Sequence, residues 1–269
     1  MLKRIITAIV LTAFAVYLIL TGGWPLVLWV AIFSLIAAYE LFRLLKMNDY
    51  PQYQYLGYFG IFCLFSGVYF FNIDFTEYIY VLHSLVGALL LLSLFEVYRK
   101  KPIFIKNALF LTLKIVILTA GTMLYTFLLR EGDYGAYTLL FTVLMVGIGD
   151  SSALIVGKTF GKHKLSSISP NKTIEGFFGH MFFDLLTAGL FVWISNSVFG
   201  QSFGFVQYFS YAVILSLVCQ FGDIHESLNK RFFGVKDSSN LLPGHGGFYD
   251  RLDGYLFVMP VMFFMVQYF

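Results

Sequence analysis

The sequence predicts an all-α, polytopic integral membrane protein with about nine transmembrane helices. Three observations carry this. The 269 residues are 59% hydrophobic and only 12% charged, whereas a soluble domain carries about 25% charged residues. The apolar residues gather in runs of about 20, the length a helix needs to cross a hydrocarbon core about 30 Å thick. Finally, of the 18 Lys and Arg residues, all except Lys114 and Arg130 fall on one face once the spans are laid out, which is the positive-inside pattern.

The first span, 5–22, follows Lys3 and Arg4. Its apolar run is too long for a signal peptide, and no clear small-residue cleavage site follows. The second, 25–46, ends in Arg43 and Lys46. Spans at 54–72 and 76–98 come next, the latter closed by Arg99, Lys100 and Lys101. The fifth, 107–129, encloses Lys114, read as a snorkelling side chain or as the partner of Asp184. The sixth, 135–157, holds Asp150 toward its end, and the seventh, 176–199, holds His180 and Asp184. Ionisable groups at such depth are costly and usually face an interior or a wet cavity. The eighth and ninth spans, 205–222 and 252–268, bracket the most charged segment of the chain. The N-terminus and the loops after even-numbered spans are then cytoplasmic, and the C-terminus faces outward.

These spans read as a single membrane domain, 1–269, with scaffold spans over about 1–106 and catalytic spans and cytoplasmic loops over about 107–269. The aromatic content of 20% suits lipid-facing and interfacial positions. A net charge of +3 is too small to suggest a nucleic-acid partner. Cys63 and Cys219 lie in apolar runs and read as two small buried hydrophobes, with neither disulfide nor metal-pair spacing.

The chemistry concentrates between Asp223 and Asp253. If the eighth helix continues past Phe221, Asp223, Glu226, Ser227, Lys230 and Arg231 share one face. A polar stripe then leaves the bilayer with carboxylates deepest. Asp250 and Asp253 stand three apart at the start of the ninth span, on one helical face. Like charges beside hydrocarbon repel unless a cation compensates, and a divalent ion does so well. Helix capping accounts for Asp250 but not for Asp253 as well. Between them lies Pro243-Gly244-His245-Gly246-Gly247, a breaker cluster whose amides suit phosphate oxygens.

A second polar block follows the sixth span. Lys158, Lys162, Lys164 and Lys172 form a basic rim that also suits anionic headgroups. Ser169-Pro170 reads as an N-cap followed by Pro at the first helical position. Asn171, Lys172 and Thr173 would then open a helix, where anions bind well. Gly157-Lys158-Thr159 looks like the end of a P-loop, but Ser152 stands where the first glycine belongs and no strand precedes it.

Taken together, these residues resemble the phosphatidate cytidylyltransferases, also called CDP-diacylglycerol synthases. The resemblance rests on Ser227, Lys230-Arg231, Lys236-Asp237, Ser239, Leu241-Leu242-Pro243, His245-Gly246-Gly247-Phe248 and Asp250-Arg251-Leu252-Asp253. Upstream it includes Gly161-Lys162-His163-Lys164-Leu165 and Ser169-Pro170-Asn171-Lys172-Thr173. The chain departs at Asn229, where the family prefers an apolar residue, and at Asn171, where a second lysine is common.

The resemblance implies transfer of the cytidylyl group of CTP to phosphatidate, giving CDP-diacylglycerol and pyrophosphate at the cytoplasmic interface of the cell membrane. It implies one or more Mg²⁺ ions held by Asp223 and Asp250, with Asp253 or Asp150 assisting, and it suggests a homodimer. Lys230, Arg231, Lys236, His245 and Arg251, with the Gly246-Gly247 turn, would hold phosphates, while Ser169, Asn171, Lys172 and Thr173 would close the nucleotide side. The alternative within the class is a CTP-dependent enzyme for another lipid phosphate. A secondary transporter, the alternative from another class, would place broken helices near mid-membrane and repeat its halves.

Overall fold

The computed structural model describes residues 13–70, 75–103, 106–242 and 246–269. Among them the chain is helical throughout, with two isolated β-bridges in loops. We label the helices α1 (13–21), α2 (Gly23–Met47), α3 (Gln54–Phe70), α4 (Phe75–Arg99), α5 (Ala108–Glu131), α6 (Gly135–Phe160), α7 (Ile174–Phe199), α8 (Phe205–Phe232) and α9 (Tyr249–Tyr268). Six of these are long and apolar enough to cross a membrane: α2, α4, α5, α6, α7 and α8. The expected count of nine spans is therefore met in part. The start of α1 lies outside the described residues, α3 has 17 residues, and α9 opens on Asp250, Arg251 and Asp253.

Polarity is inverted relative to a water-soluble bundle. Glu40, Glu96, Ser93, Thr142 and Ser216 are fully buried, while Phe62, Phe182, Trp193 and Val206 point outward. Lipid tails accept exposed aromatic and aliphatic side chains, and buried polar groups must then find partners inside the bundle. The interior is filled by rings on α6, α7, α8 and the loop before α8: Phe141 and Phe203 each contact both Phe191 and Tyr208.

Helix α8 continues past Phe221 to Phe232, as the polar stripe requires. It packs against α7 on one side and α9 on the other, and α6 lies along α7. Asp150 on α6, Asp223 on α8 and Asp253 on α9 are brought to one end of this group. Helix α5 contains a π-turn at Ile117–Gly121. Arg130, at its far end, donates from Nε to the Ile19 carbonyl (2.6 Å) and from Nη2 to the Leu20 carbonyl (3.3 Å), closing the C-terminus of α1.

The segment before α7 differs from the expectation. The helix begins at Ile174, and Thr173 is its N-cap, accepting from the Gly176 amide at 3.1 Å. Ser169-Pro170 belongs to a turn instead. Backbone bonds from Leu165 to Lys172 and from Ile174 to His163, each 2.9 Å, pair the two flanks and hold residues 166–171 as a loop. This pairing outcompetes a helix started at Pro170, so Lys172 precedes the helix.

Candidate active site

An acidic run crosses the ends of α6, α8 and α9. Asp150 lies within electrostatic reach of Asp223, Asp253 of Asp223, Asp150 and Glu226, and Glu226 of Asp250. The helical spacing of Asp223, Glu226 and Lys230 explains why α8 contributes to both ends of the run. The approach of α9 is close here: a side chain at Gly222 would meet the Asp253 carbonyl at 2.7 Å and the Phe257 ring at 2.9 Å.

Lys172 reaches into the run from the loop before α7 and pairs with Asp223 Oδ2. Burial alone would lower the Lys172 pKa. Asp223 outweighs that, with Asp253 and Asp150 adding to it, so the ammonium is held above its ordinary value. The other oxygen, Asp223 Oδ1, is buried and has no hydrogen-bond partner. An orphaned carboxylate oxygen among further carboxylates is the donor chemistry of a hard-cation site.

Asp250 is placed differently. It accepts from the Gly247 amide at 2.8 Å and from the Ser238 amide at 3.0 and 3.1 Å, and it pairs with Lys230 at 3.2 Å. Lys230 also meets Glu226 at 2.5 Å. The sequence assigns Lys230 to phosphate and the Gly247 amide to a phosphate cradle; in the structure both already face carboxylates. Gly246 has φ 82°, and a Cβ there would meet Asp250 Oδ2 at 2.6 Å, so both backbone and space favour glycine. Arg231 is exposed and donates to the Val235 carbonyl at 3.2 Å, Lys236 and Arg251 are exposed, and Asn171 is exposed beside the buried Ser169. His245, named from the sequence, lies outside the described residues. A groove of about 460 Å³ opens beside Lys100, Ser167, Pro170, Leu228 and Arg231.

Glu40, Glu96 and His225 emerge as buried ionisable groups that sequence reasoning did not single out. Glu40, fully buried on α2, accepts from Ser238 Oγ (2.8 Å), Ser239 Oγ (2.5 Å), and the Phe248 (2.9 Å) and Tyr249 (2.7 Å) amides. It holds both flanks of the 238–249 loop. Glu96 on α4 meets Lys114 Nζ at 2.6 Å and His225 Nε2 at 3.2 Å, all buried. Lys114 therefore neither snorkels nor pairs with Asp184. Asp184 meets His180 Nδ1 at 2.8 Å instead. Asn229 sits 3.4 Å from His225 on that same inner face, away from Asp223 and Lys230. Both cysteines are free, and Cys219 is buried as expected, with Sγ 3.8 Å from Asp150 Oδ1, whereas Cys63 is exposed.

Comparison with known proteins agrees with this chemistry. The model of the cytidylyltransferase family matches residues 2–269. A phosphatidate cytidylyltransferase of Bacillus subtilis (strain 168) is 33% identical over 274 residues, covering 100% of this chain and 98% of the relative. Proteins of the same name from Staphylococcus haemolyticus (strain JCSC1435) and Staphylococcus aureus (strain COL) are each 33% identical, with 96% of both chains covered. With the match spanning nearly every residue and the acidic run in place, the chain belongs to the cytidylyltransferase family.

Proposed function

We propose that the protein transfers the cytidylyl group of CTP to phosphatidate at the cytoplasmic membrane interface. The observation that carries this is the acidic run around Lys172, with the orphaned Asp223 oxygen at its centre. The full-length kinship with phosphatidate cytidylyltransferases supplies the substrate pair.

A phosphate oxygen of phosphatidate is already a nucleophile. It forms a bond to the α-phosphorus of CTP, the bond from that phosphorus to the β-bridging oxygen breaks, and pyrophosphate leaves. No Ser, Cys or Lys nucleophile is required, so the chain's residues act by positioning and by neutralising charge. Asp223 and Asp250 would hold Mg²⁺, with Asp253 or Asp150 assisting; the orphaned Asp223 oxygen and the all-oxygen donor set fit that ion. When bound, Mg²⁺ supplies charge neutralisation on the nucleotide phosphates. Lys172 orients Asp223 and meets the phosphates as they arrive. Arg231, Lys236 and Arg251, on the exposed rim, and His245 bind phosphate oxygens; Lys230 holds Asp250 and Glu226 in register. Thr173, Ser169 and Asn171 fix the loop that presents Lys172. The acyl chains of phosphatidate stay in lipid while CTP enters from water, which suits a site at helix ends.

Purified protein with labelled CTP, Mg²⁺ and a panel of lipid phosphates tests the reading. Product from phosphatidate is expected. Asp223→Asn and Asp250→Asn should each lower the rate by about 100-fold or more, the scale of losing a preorganised electrostatic contact. Full activity of either variant at saturating Mg²⁺ would refute its assignment to the metal. Preference for a prenyl or ether-lipid phosphate would change the substrate and keep the chemistry, and solute uptake without product would favour a transporter.

A further inference from the structure

We propose that Asp150, His180 and Cys219 form a second cation site, one that takes a thiophilic divalent ion of the zinc type. One ligand atom from each residue lies within 4.8 Å of the other two. Asp150 Oδ1 is 3.5 Å from His180 Nε2 and 3.8 Å from Cys219 Sγ. Ligands of a single tetrahedral zinc ion, at about 2.0–2.3 Å from the metal, stand roughly 3.3–3.8 Å apart. The two separations from Asp150 fall in or at the edge of that range, and the third, between the histidine nitrogen and Sγ, lies within 4.8 Å.

The histidine carries the strongest signal. His180 is 1% exposed, and its Nε2 is buried with no hydrogen-bond partner. The other ring nitrogen is oriented: Nδ1 lies 2.8 Å from Asp184 Oδ2 and 3.0 Å from Ser216 Oγ. A hydrogen-bonding partner on Nδ1, here Ser216 Oγ, leaves Nε2 as the nitrogen beside Asp150, and such a partner is what orients a metal-binding imidazole.

The thiol is held in place as well. Cys219 is 1% exposed, and a side chain at Gly254 would meet its Sγ at 2.6 Å, so α9 backs it closely. Asp150, with 44% of its side chain exposed, is the outermost of the three. The donors are one nitrogen, one sulfur and one oxygen. That set disfavours magnesium, which takes oxygen ligands, and favours zinc and cobalt. Binding releases the Cys219 thiol proton to solvent, since the thiolate is the ligand. If the proposed magnesium reading holds, an ion here also withdraws Asp150 from Asp223 and slows transfer.

The test is a Co²⁺ titration of the metal-free full-length protein in detergent, reading the thiolate-to-cobalt charge-transfer absorption. One equivalent of Co²⁺ should produce the band in the unaltered protein and in Cys63→Ser. The band should vanish in Cys219→Ser, weaken at least tenfold in apparent affinity in His180→Gln, be displaced by Zn²⁺ and survive excess Mg²⁺. Asp223→Asn should keep it, which separates this site from the magnesium reading. Zn²⁺ inhibition of transfer should need at least tenfold more metal in Cys219→Ser. Absence of the band in the unaltered protein, its persistence in Cys219→Ser, or its loss in Cys63→Ser overturns the proposal, whatever the Asp223 variants do to activity.

Discussion

Glu40 shows how much of the site rests on one carboxyl group far from it in sequence. Four donors from Ser238, Ser239, Phe248 and Tyr249 converge on it, and it is fully buried. Removing it strands those donors in a dry interior, and hydrogen bonds to such a group are individually worth about 1.5–3 kcal/mol. Glu40→Ala should therefore destabilise the protein by about 2–4 kcal/mol and loosen the loop that carries Asp250. Thermal unfolding in detergent, together with the KM for CTP, checks this: a lower midpoint and a higher KM are expected, and Glu40→Gln should recover part of both. Unchanged values in Glu40→Ala would mean that the loop is held by other contacts. No local pattern in the sequence betrays Glu40, because its partners lie 198 and more residues away. Asp223, Asp250 and Asp253 were legible because helical spacing and bilayer depth make their charge conspicuous. Lys230 was legible as an important cation, yet its partners were not, since phosphate and carboxylate attract it alike.

At the scale of helices, the close seam between α6 and α7 sets where Asp150 can stand. A side chain at Gly176 would meet the Ala153 carbonyl at 2.8 Å and Thr173 Oγ1 at 3.1 Å; one at Gly179 would meet Val156 at 2.7 Å. Small residues let membrane helices approach when no hydrophobic force drives them together. Gly176→Ala should push the start of α7 away from α6, at a cost of about 1–3 kcal/mol for overpacking. It should also disturb Thr173 and Lys172 together. The expected result is a lowered unfolding midpoint with a transfer rate reduced more than Gly189→Ala reduces it, since a Cβ at Gly189 meets only Phe209, at 3.4 Å. Equal effects of the two substitutions would remove the seam from the account. The continuation of α8 to Phe232 meets the condition under which its i, i+3, i+4 stripe forms one face, although the apolar span itself was expected to end at 222, whereas the start of α7 departs from its local signal. Ser-Pro is a sound local start signal, but pairing between residues 163–165 and 172–174 is tertiary in origin and overrides it.

For the whole molecule, orientation decides whether CTP can reach the site. Loops carrying Lys100, Lys101, Lys162, Lys164 and Lys236 share an edge with the acidic run in the proposed arrangement, and the positive-inside bias would put that edge in the cytoplasm. The division into early scaffold spans and later catalytic spans is less sharp than the sequence suggests, because Glu40 on α2 and Glu96 on α4 reach the loop and the helix that bear the site. The buried Glu96, Lys114 and His225 group ties α4, α5 and α8 into one body. Inverting any one helix would leave a buried charge unpaired, at a cost of about 3–5 kcal/mol. Orientation is therefore a property of the bundle rather than of single spans. In a Cys63→Ser background, Lys101→Cys and Ser202→Cys place exposed thiols on opposite edges. A membrane-impermeant maleimide should label position 202 in right-side-out vesicles and position 101 only in inverted ones. The reverse pattern would put the acidic run on the outer face, out of reach of cytosolic nucleotide, and the proposed reaction would lose its supply of CTP.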